Sequence, residues 1–181
     1  MTKQEGFIGG LEAESQALLD VAKKMLIAAR TAPKARGIDK LATGIITPGP
    51  VLEKLRAKME ELAPEGGALF NRDSQNIKDV EAVVLIGTKK GPMGLKLCGF
   101  CGFASCEEME AHGGTCIYNP GDLGIAVGSA VSVAMDHRVD NRVMYTIGLA
   151  AVKLGLLGED VDIAFGIPLA VRGKNPFFDR K

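Results

Sequence analysis

Val80-Glu-Ala-Val-Val-Leu-Ile-Gly87 is the stretch on which the fold turns. Its apolar residues run on without the strict alternation of a half-wet strand. That pattern predicts a mostly buried strand inside a sheet flanked by helices. Upstream, Glu14 to Arg30 places Leu18, Leu19, Ala22, Met25, Leu26 and Ala29 on one helical face. Ala32-Pro33 ends that helix, because proline disfavours helical backbone at the residue before it. A second helix is expected over Val51 to Leu62, entered through Pro48-Gly49-Pro50 and closed by Pro64-Glu-Gly-Gly67. Val51, Leu52, Leu55, Met59 and Leu62 form its apolar stripe. Downstream, Asp122 is expected to cap a helix running to about Met135, and Asp140 another running to Leu156. Val161 to Val171 predicts a last strand, with Pro168 limiting its inner pairing.

Between the buried strand and the third helix lie all four cysteines, in Cys98-Gly-Phe-Cys101-Gly-Phe-Ala-Ser-Cys106 and then Cys116. The spacing is C-x2-C-x4-C-x9-C, and no cysteine occurs elsewhere. Four thiolates that can converge suit a metal ion or an iron–sulfur cluster. The N-terminal Met1-Thr-Lys-Gln-Glu-Gly6 has no charged-then-apolar signal segment. A cytoplasmic chain is therefore expected, and reduced thiols are favoured over disulfides there. Zinc sites more often separate two C-x2-C pairs by a longer spacer, so the spacing favours a cluster and keeps zinc as the alternative. His112, between Cys106 and Cys116, is either a replacement ligand or a polar surface residue. Gly99 and Gly102 each follow a cysteine and allow tight turns that bring N–H groups toward sulfur. Glu107, Glu108 and Glu110 suit the first turn of a short helix after Cys106.

Composition sets the remaining bounds. The chain has 181 residues, 22 basic and 22 acidic side chains, and 46% hydrophobic residues. A length of this order suits one domain burying roughly 70% of its unfolded surface. Balanced charge gives no global field for nucleic acid or an acidic membrane surface. Leu123 to Met135, the longest apolar stretch, is too short to span a bilayer. Lys89, Lys90 and Lys96 make a local basic spot before the cysteines, either a steering point for an acidic partner or a solvated loop. Neither Gly87-Thr-Lys-Lys-Gly91 nor Gly121-Asp-Leu-Gly124 has phosphate-loop spacing. His112 and His137 are the only histidines, and no serine–histidine–carboxylate arrangement is found.

The cysteine run resembles the C-G-x-C-G-x-x-x-C module of the corrinoid iron–sulfur protein and of the B subunit of the Rnf electron-transport complex. The resemblance implies one [4Fe–4S] cluster on Cys98, Cys101, Cys106 and Cys116. The wider chain resembles an uncharacterised prokaryotic family described as containing a ferredoxin domain. The body resembles the nitroreductase family, through four pieces in a shared order. These are Ala29-Arg-Thr-Ala-Pro33, Ile77-Lys-Asp-Val-Glu-Ala-Val-Val-Leu-Ile86, Gly148-Leu-Ala-Ala-Val-Lys-Leu-Gly-Leu156 and Phe165-Gly-Ile-Pro168. That resemblance implies an α/β (α+β) fold over 1–181, with 95–118 as an inserted cysteine-rich loop. It also implies FMN and a homodimer. The family's N-terminal arginine motif for the flavin phosphate is absent in recognisable form. Arg30, Lys34 and Arg36 are then the candidate phosphate contacts, or else a solvated basic turn. The expectation is an iron–sulfur redox protein passing electrons between its cluster and a flavin or a partner protein, with flavin-dependent oxidoreductase as its enzymatic form. The alternative is a non-enzymatic interaction or sensor protein stabilised by zinc or a cluster.

Overall fold

The computed structural model describes residues 6–178. Met1–Glu5, on which the signal-segment reading rests, lies outside the described residues. The elements in chain order are α1 (Gly10–Thr31), β1 (Leu41–Ile46), α2 (Pro50–Gly66), α3 (Ala68–Asn76) and β2 (Ala82–Lys89). They continue with α4 (Cys106–Ala111), α5 (Tyr118–Asp136), β3 (Asp140–Asn141), α6 (Tyr145–Lys153) and β4 (Val161–Ala170). The strands form one sheet in the order β1-β2-β4-β3, antiparallel throughout.

The unbroken apolar run of β2 has a direct cause. Its even-numbered residues Ala82, Val84 and Ile86 join a core with α1 and α5. Its odd-numbered Val83 and Leu85 join a second core with α2, α3 and α6. Successive strand side chains point to opposite faces, so a sheet covered on both faces needs apolar residues at every position. β2 is central, with β1 and β4 on its two sides. The C-terminal strand is also internal. Its outer flank pairs only at Asp140↔Ala170 and Asn141↔Leu169, plus a bridge from Met144 to Gly166. Pro168, which has no N–H to give, falls between those two stretches.

Several boundaries differ from expectation. α1 begins at Gly10 rather than Glu14, and α2 runs on through Pro64 to Gly66. Ala32 takes ψ 142, the extended backbone that the following Pro33 imposes. Asp122 does not cap a helix. α5 already begins at Tyr118, and the Asp122 carboxylate accepts the Ala35 N–H at 3.1 and 3.0 Å. Asp140 does not cap one either: it lies in β3, and α6 starts at Tyr145. In both places the aspartate serves a partner distant in sequence or a strand, which its N-cap preference alone does not reveal. β1, α3 and β3 have no counterpart in the sequence expectations.

α6 packs hard onto β4. A Cβ at Gly148 would lie 1.8 Å from the Ala164 carbonyl oxygen and 2.8 Å from Phe165 Cα. Only a residue without a side chain fits that approach.

Candidate metal centre

From Lys90 to Ile117 the chain leaves the sheet, and the only regular element it forms there is α4. This excursion, which contains the 95–118 segment, joins β2 to α5. Its footing is a small apolar cluster of Met93, Met109 and Cys116, packed against Ala35, Cys101, Phe103 and Tyr118. Gly99 and Gly102 have φ 64 and 87, a conformation glycine adopts without strain, so the chain reverses directly after Cys98 and after Cys101. α4 starts at Cys106 itself. Ser105 caps it by accepting the Glu108 N–H at 3.1 Å, and the Glu108 carboxylate reaches back to the Ala104 N–H at 2.7 Å. Glu107, Glu108 and Glu110 are exposed.

The turns and the cap bring Cys98, Cys101, Cys106 and Cys116 to the wall of one cavity of about 270 Å3. All four are free thiols; three are partly exposed and Cys116 is buried. Phe103 and Tyr118 also line the cavity. Burial pushes the Tyr118 phenol above the ordinary 10.0, with Cys98, Cys116 and Asp122 adding to the shift. The phenol therefore keeps its proton at neutral pH. His112 does not line the cavity. Its Nδ1 sits 2.9 Å from the Glu108 carbonyl oxygen, and its ring leans on Phe103. The basic spot is split. Lys96 lines the cysteine cavity, whereas Lys89 and Lys90 pair with Asp160 and Asp162 at 2.9 and 2.7 Å.

The stalk of the excursion is held by the body. Lys40 donates to the carbonyls of Gly91 and Pro92, Asn119 to that of Gly91 at 3.0 Å, and Arg36 to that of Met93 at 2.7 Å. Three consecutive carbonyls ahead of the cysteines are thereby fixed from outside the loop. Lys40 and Asn119 carry no sequence motif that would single them out.

Arg30, Lys34 and Arg36 each have acceptors of their own within the chain. Arg30 pairs with Asp39 and donates to the Leu41 carbonyl at 3.0 Å. Lys34 closes the end of α1, donating to the carbonyls of Ala29, Arg30 and Ala32. Arg36, at φ 55, holds the cysteine stalk. A phosphate reaching any of them competes with acceptors already in place.

The fold and the site together define a nitroreductase-like α+β body that carries a four-cysteine pocket between its second strand and its fifth helix. A nitroreductase with bound FMN from Desulfitobacterium hafniense superposes with a TM-score of 0.60, at 14% identity over 86% of this chain and 78% of that one. A putative nitroreductase in complex with FMN from Desulfovibrio desulfuricans gives 0.56 at 12% identity, over 98% and 83%. At such identities the likeness is one of fold. Residues 112–180 match the family described as uncharacterized proteins containing a ferredoxin domain. An uncharacterized protein of Archaeoglobus fulgidus is 42% identical over 164 residues, 86% of this chain and 88% of its own. The chain belongs to this ferredoxin-domain family, which places it among redox proteins in general.

Proposed function

We propose that this protein is an iron–sulfur redox protein whose Cys98, Cys101, Cys106 and Cys116 hold one [4Fe–4S] cluster, and that it exchanges electrons with a flavin or a partner protein. The observation that carries this reading is the single cavity lined by all four cysteines. The donor set suits a cluster: four soft sulfur atoms, with a buried thioether, Met109, and an aromatic ring, Phe103, beside them. Zinc draws its thiolates in to about 2.3 Å from one point. The C-x2-C-x4-C-x9-C spacing differs from the two separated C-x2-C pairs usual for zinc, and it is this spacing that favours a cluster. When bound, the cluster supplies one-electron exchange. The chain's own contribution is to hold the thiols and to limit water through Phe103, Met109 and Tyr118, which line the same cavity.

The flavin reading draws on the FMN of the two fold relatives. The homodimer reading draws on α5, whose Gly121, Gly124 and Gly128 have open space where a Cβ would stand. Exposed Ile125 and Met135 lie on the same helix, a surface suited to close helix approach by a second copy. Among the described residues no helix is long and apolar enough to cross a membrane.

The test is electron transfer. Protein purified without oxygen, then reduced with dithionite and freed of excess, should be reoxidised by added FMN, two chains per flavin. The Cys101→Ser variant should hold little iron and deliver no electrons. Wild-type protein that holds no reducible chromophore, or a variant that keeps the spectrum, would overturn the proposal.

A further inference from the structure

The side chains directly before Cys98 and Cys101 are large, apolar and outside every core of the fold. Leu97 is 99% exposed, the most of any large apolar side chain among the described residues, and Phe100 is 73% exposed. The Gly-Phe repeat of this loop is thereby split. Phe103 packs against Met93, Met109 and Cys116, whereas Phe100 belongs to none of the three apolar clusters. A single exposed leucine needs no explanation. Here two such side chains stand three residues apart, each next to a cysteine of the cavity, and the half-exposed Ile117 lines that cavity beside Cys116. Cys98, Cys101 and Cys106 are themselves partly exposed. The site therefore meets solvent on the side where this apolar surface is concentrated.

The charges beside this tip are mostly of one sign. Glu107 lines the cavity, and Glu108 and Glu110 follow it on α4, all three exposed. Among the described residues none of the three forms a salt bridge. Lys96 is the one cation that lines the cavity. The chain as a whole is balanced, with 22 basic and 22 acidic side chains, so the negative rim is local rather than part of a global field. Such a rim repels nucleic acid and anionic lipid. An apolar centre bordered by charge is the anatomy of a protein–protein contact, and the sign of this border is complementary to lysine and arginine on the other side.

We infer that the Leu97–Phe100 tip, with the α4 glutamates as its rim, is the docking surface for a one-electron carrier protein whose redox centre lies under an apolar patch ringed by lysine and arginine. The inference deepens the redox reading above and rests on it, because it names the kind of partner that exchanges the electron. Leu97 and Phe100 enter the apolar patch. Glu107, Glu108 and Glu110 steer the encounter and fix its orientation. A contact of this extent belongs with the small, quickly released interfaces of redox encounters.

The probe is cytochrome c, a basic haem protein with an exposed haem edge, and cytochrome b5 is its acidic counterpart. The protein is purified without oxygen, with iron and sulfide measured on the same sample. Binding of cytochrome c is followed by calorimetry with both proteins oxidised, so that this readout needs no electron transfer. Reduction is then followed by stopped flow: one electron leaves the reduced protein and turns one ferric haem ferrous, with no bond made or broken. The expected result is saturable one-to-one binding at low salt that weakens as salt rises. The rate with cytochrome c should fall with salt, and that with cytochrome b5 should not. Leu97→Ser together with Phe100→Ser should weaken binding and slow the bimolecular rate about tenfold. Iron content and urea unfolding should stay as in the wild type, because neither side chain belongs to a core. Glu107→Gln together with Glu110→Gln should act on the association rate and flatten its salt dependence. Glu65→Gln, an exposed acid at the end of α2, should change neither. Iron-replete protein that does not bind cytochrome c overturns the inference and leaves the cluster reading standing. So does a double-serine variant that binds and reacts like the wild type, or a Glu65→Gln effect equal to that of the α4 pair. Wild-type binding to phosphatidylcholine vesicles that the double-serine variant loses would give the tip to a membrane and overturn the inference as well. Binding with the expected variant pattern by protein without iron and sulfide supports the docking surface and sinks the cluster reading instead.

Discussion

Lys40→Met tests whether the cysteine excursion depends on being anchored from outside. Lys40 donates to the carbonyls of Gly91 and Pro92. Gly91 keeps a second donor, Asn119, at 3.0 Å, so the main loss falls on Pro92. Hydrogen bonds from charged donors contribute about 1.5–3 kcal/mol each. Lys40 is only part-buried and one of its acceptors stays satisfied, so the low end, about 1.5 kcal/mol, applies. That corresponds to an approximately tenfold larger open population of the stalk. The sheet should feel little, because β1 keeps its ladder to β2 and the Lys40 carbonyl still accepts the Lys89 N–H at 3.0 Å. Amide hydrogen exchange separates the two effects. Peptides covering 91–105 should exchange about ten times faster in the variant, while those covering β2 and β4 keep their protection. Unchanged exchange in the loop would refute the anchoring argument. Uniform loss across the sheet would refute its local character.

Gly148→Ala should cost at least about 3 kcal/mol in urea unfolding, because the added carbon meets backbone rather than movable side chains; a loss below about 1 kcal/mol would mean that α6 and β4 are not so closely packed. Thr146→Val removes the 2.7 Å hydrogen bond to the buried Asp73 carboxylate and should cost about 1.5–3 kcal/mol, with Thr146→Ser close to wild type; equal stability of the Val and Ser variants would speak against that bond. For Asp39, burial pushes the carboxyl up, but the Arg30 guanidinium, the Leu41 N–H and Lys34 outweigh it and hold it below its ordinary 3.8. A lowered folded value means that the stabilisation is present above pH 3.8 and disappears as the pH falls through the lower folded value. The pair is solvent-exposed, so Asp39→Asn should cost no more than about 1 kcal/mol at neutral pH, and the gap to wild type should close in strong acid; a gap that widens toward acid pH contradicts this sign.

The parts of the fold legible in the sequence are those where burial is apolar. β2 announces itself because both of its faces are covered, and α1 and α2 because one stripe of each is. β1 does not, since only its end residues Leu41 and Ile46 are fully buried and the four between are half-covered. α3 was hidden because its buried residues include Asp73 and Ser74, held by Arg72, Thr146 and Glu60 rather than by apolar contact. Asp122 looked like a helix cap because nothing local marks a carboxylate that meets the Ala35 N–H 87 residues away. At the site, cysteine spacing alone singled out the four residues that line one cavity, because the pattern of thiols is local to the motif. The Lys40 and Asn119 anchors arise only when the start of β1, the end of β2 and α5 converge. A single lysine or asparagine in a loop carries no pattern that foretells it.

The central claim is that the four cysteines hold one iron–sulfur cluster, and composition tests it most directly. Iron, acid-labile sulfide and zinc should be measured per chain in protein expressed and purified without oxygen, for the wild type and for Cys116→Ser. The account predicts iron and sulfide in equal amounts, approaching the four of each that one [4Fe–4S] cluster holds, with a broad visible absorption that the serine variant largely loses. A colourless protein with one zinc per chain and no sulfide would contradict it.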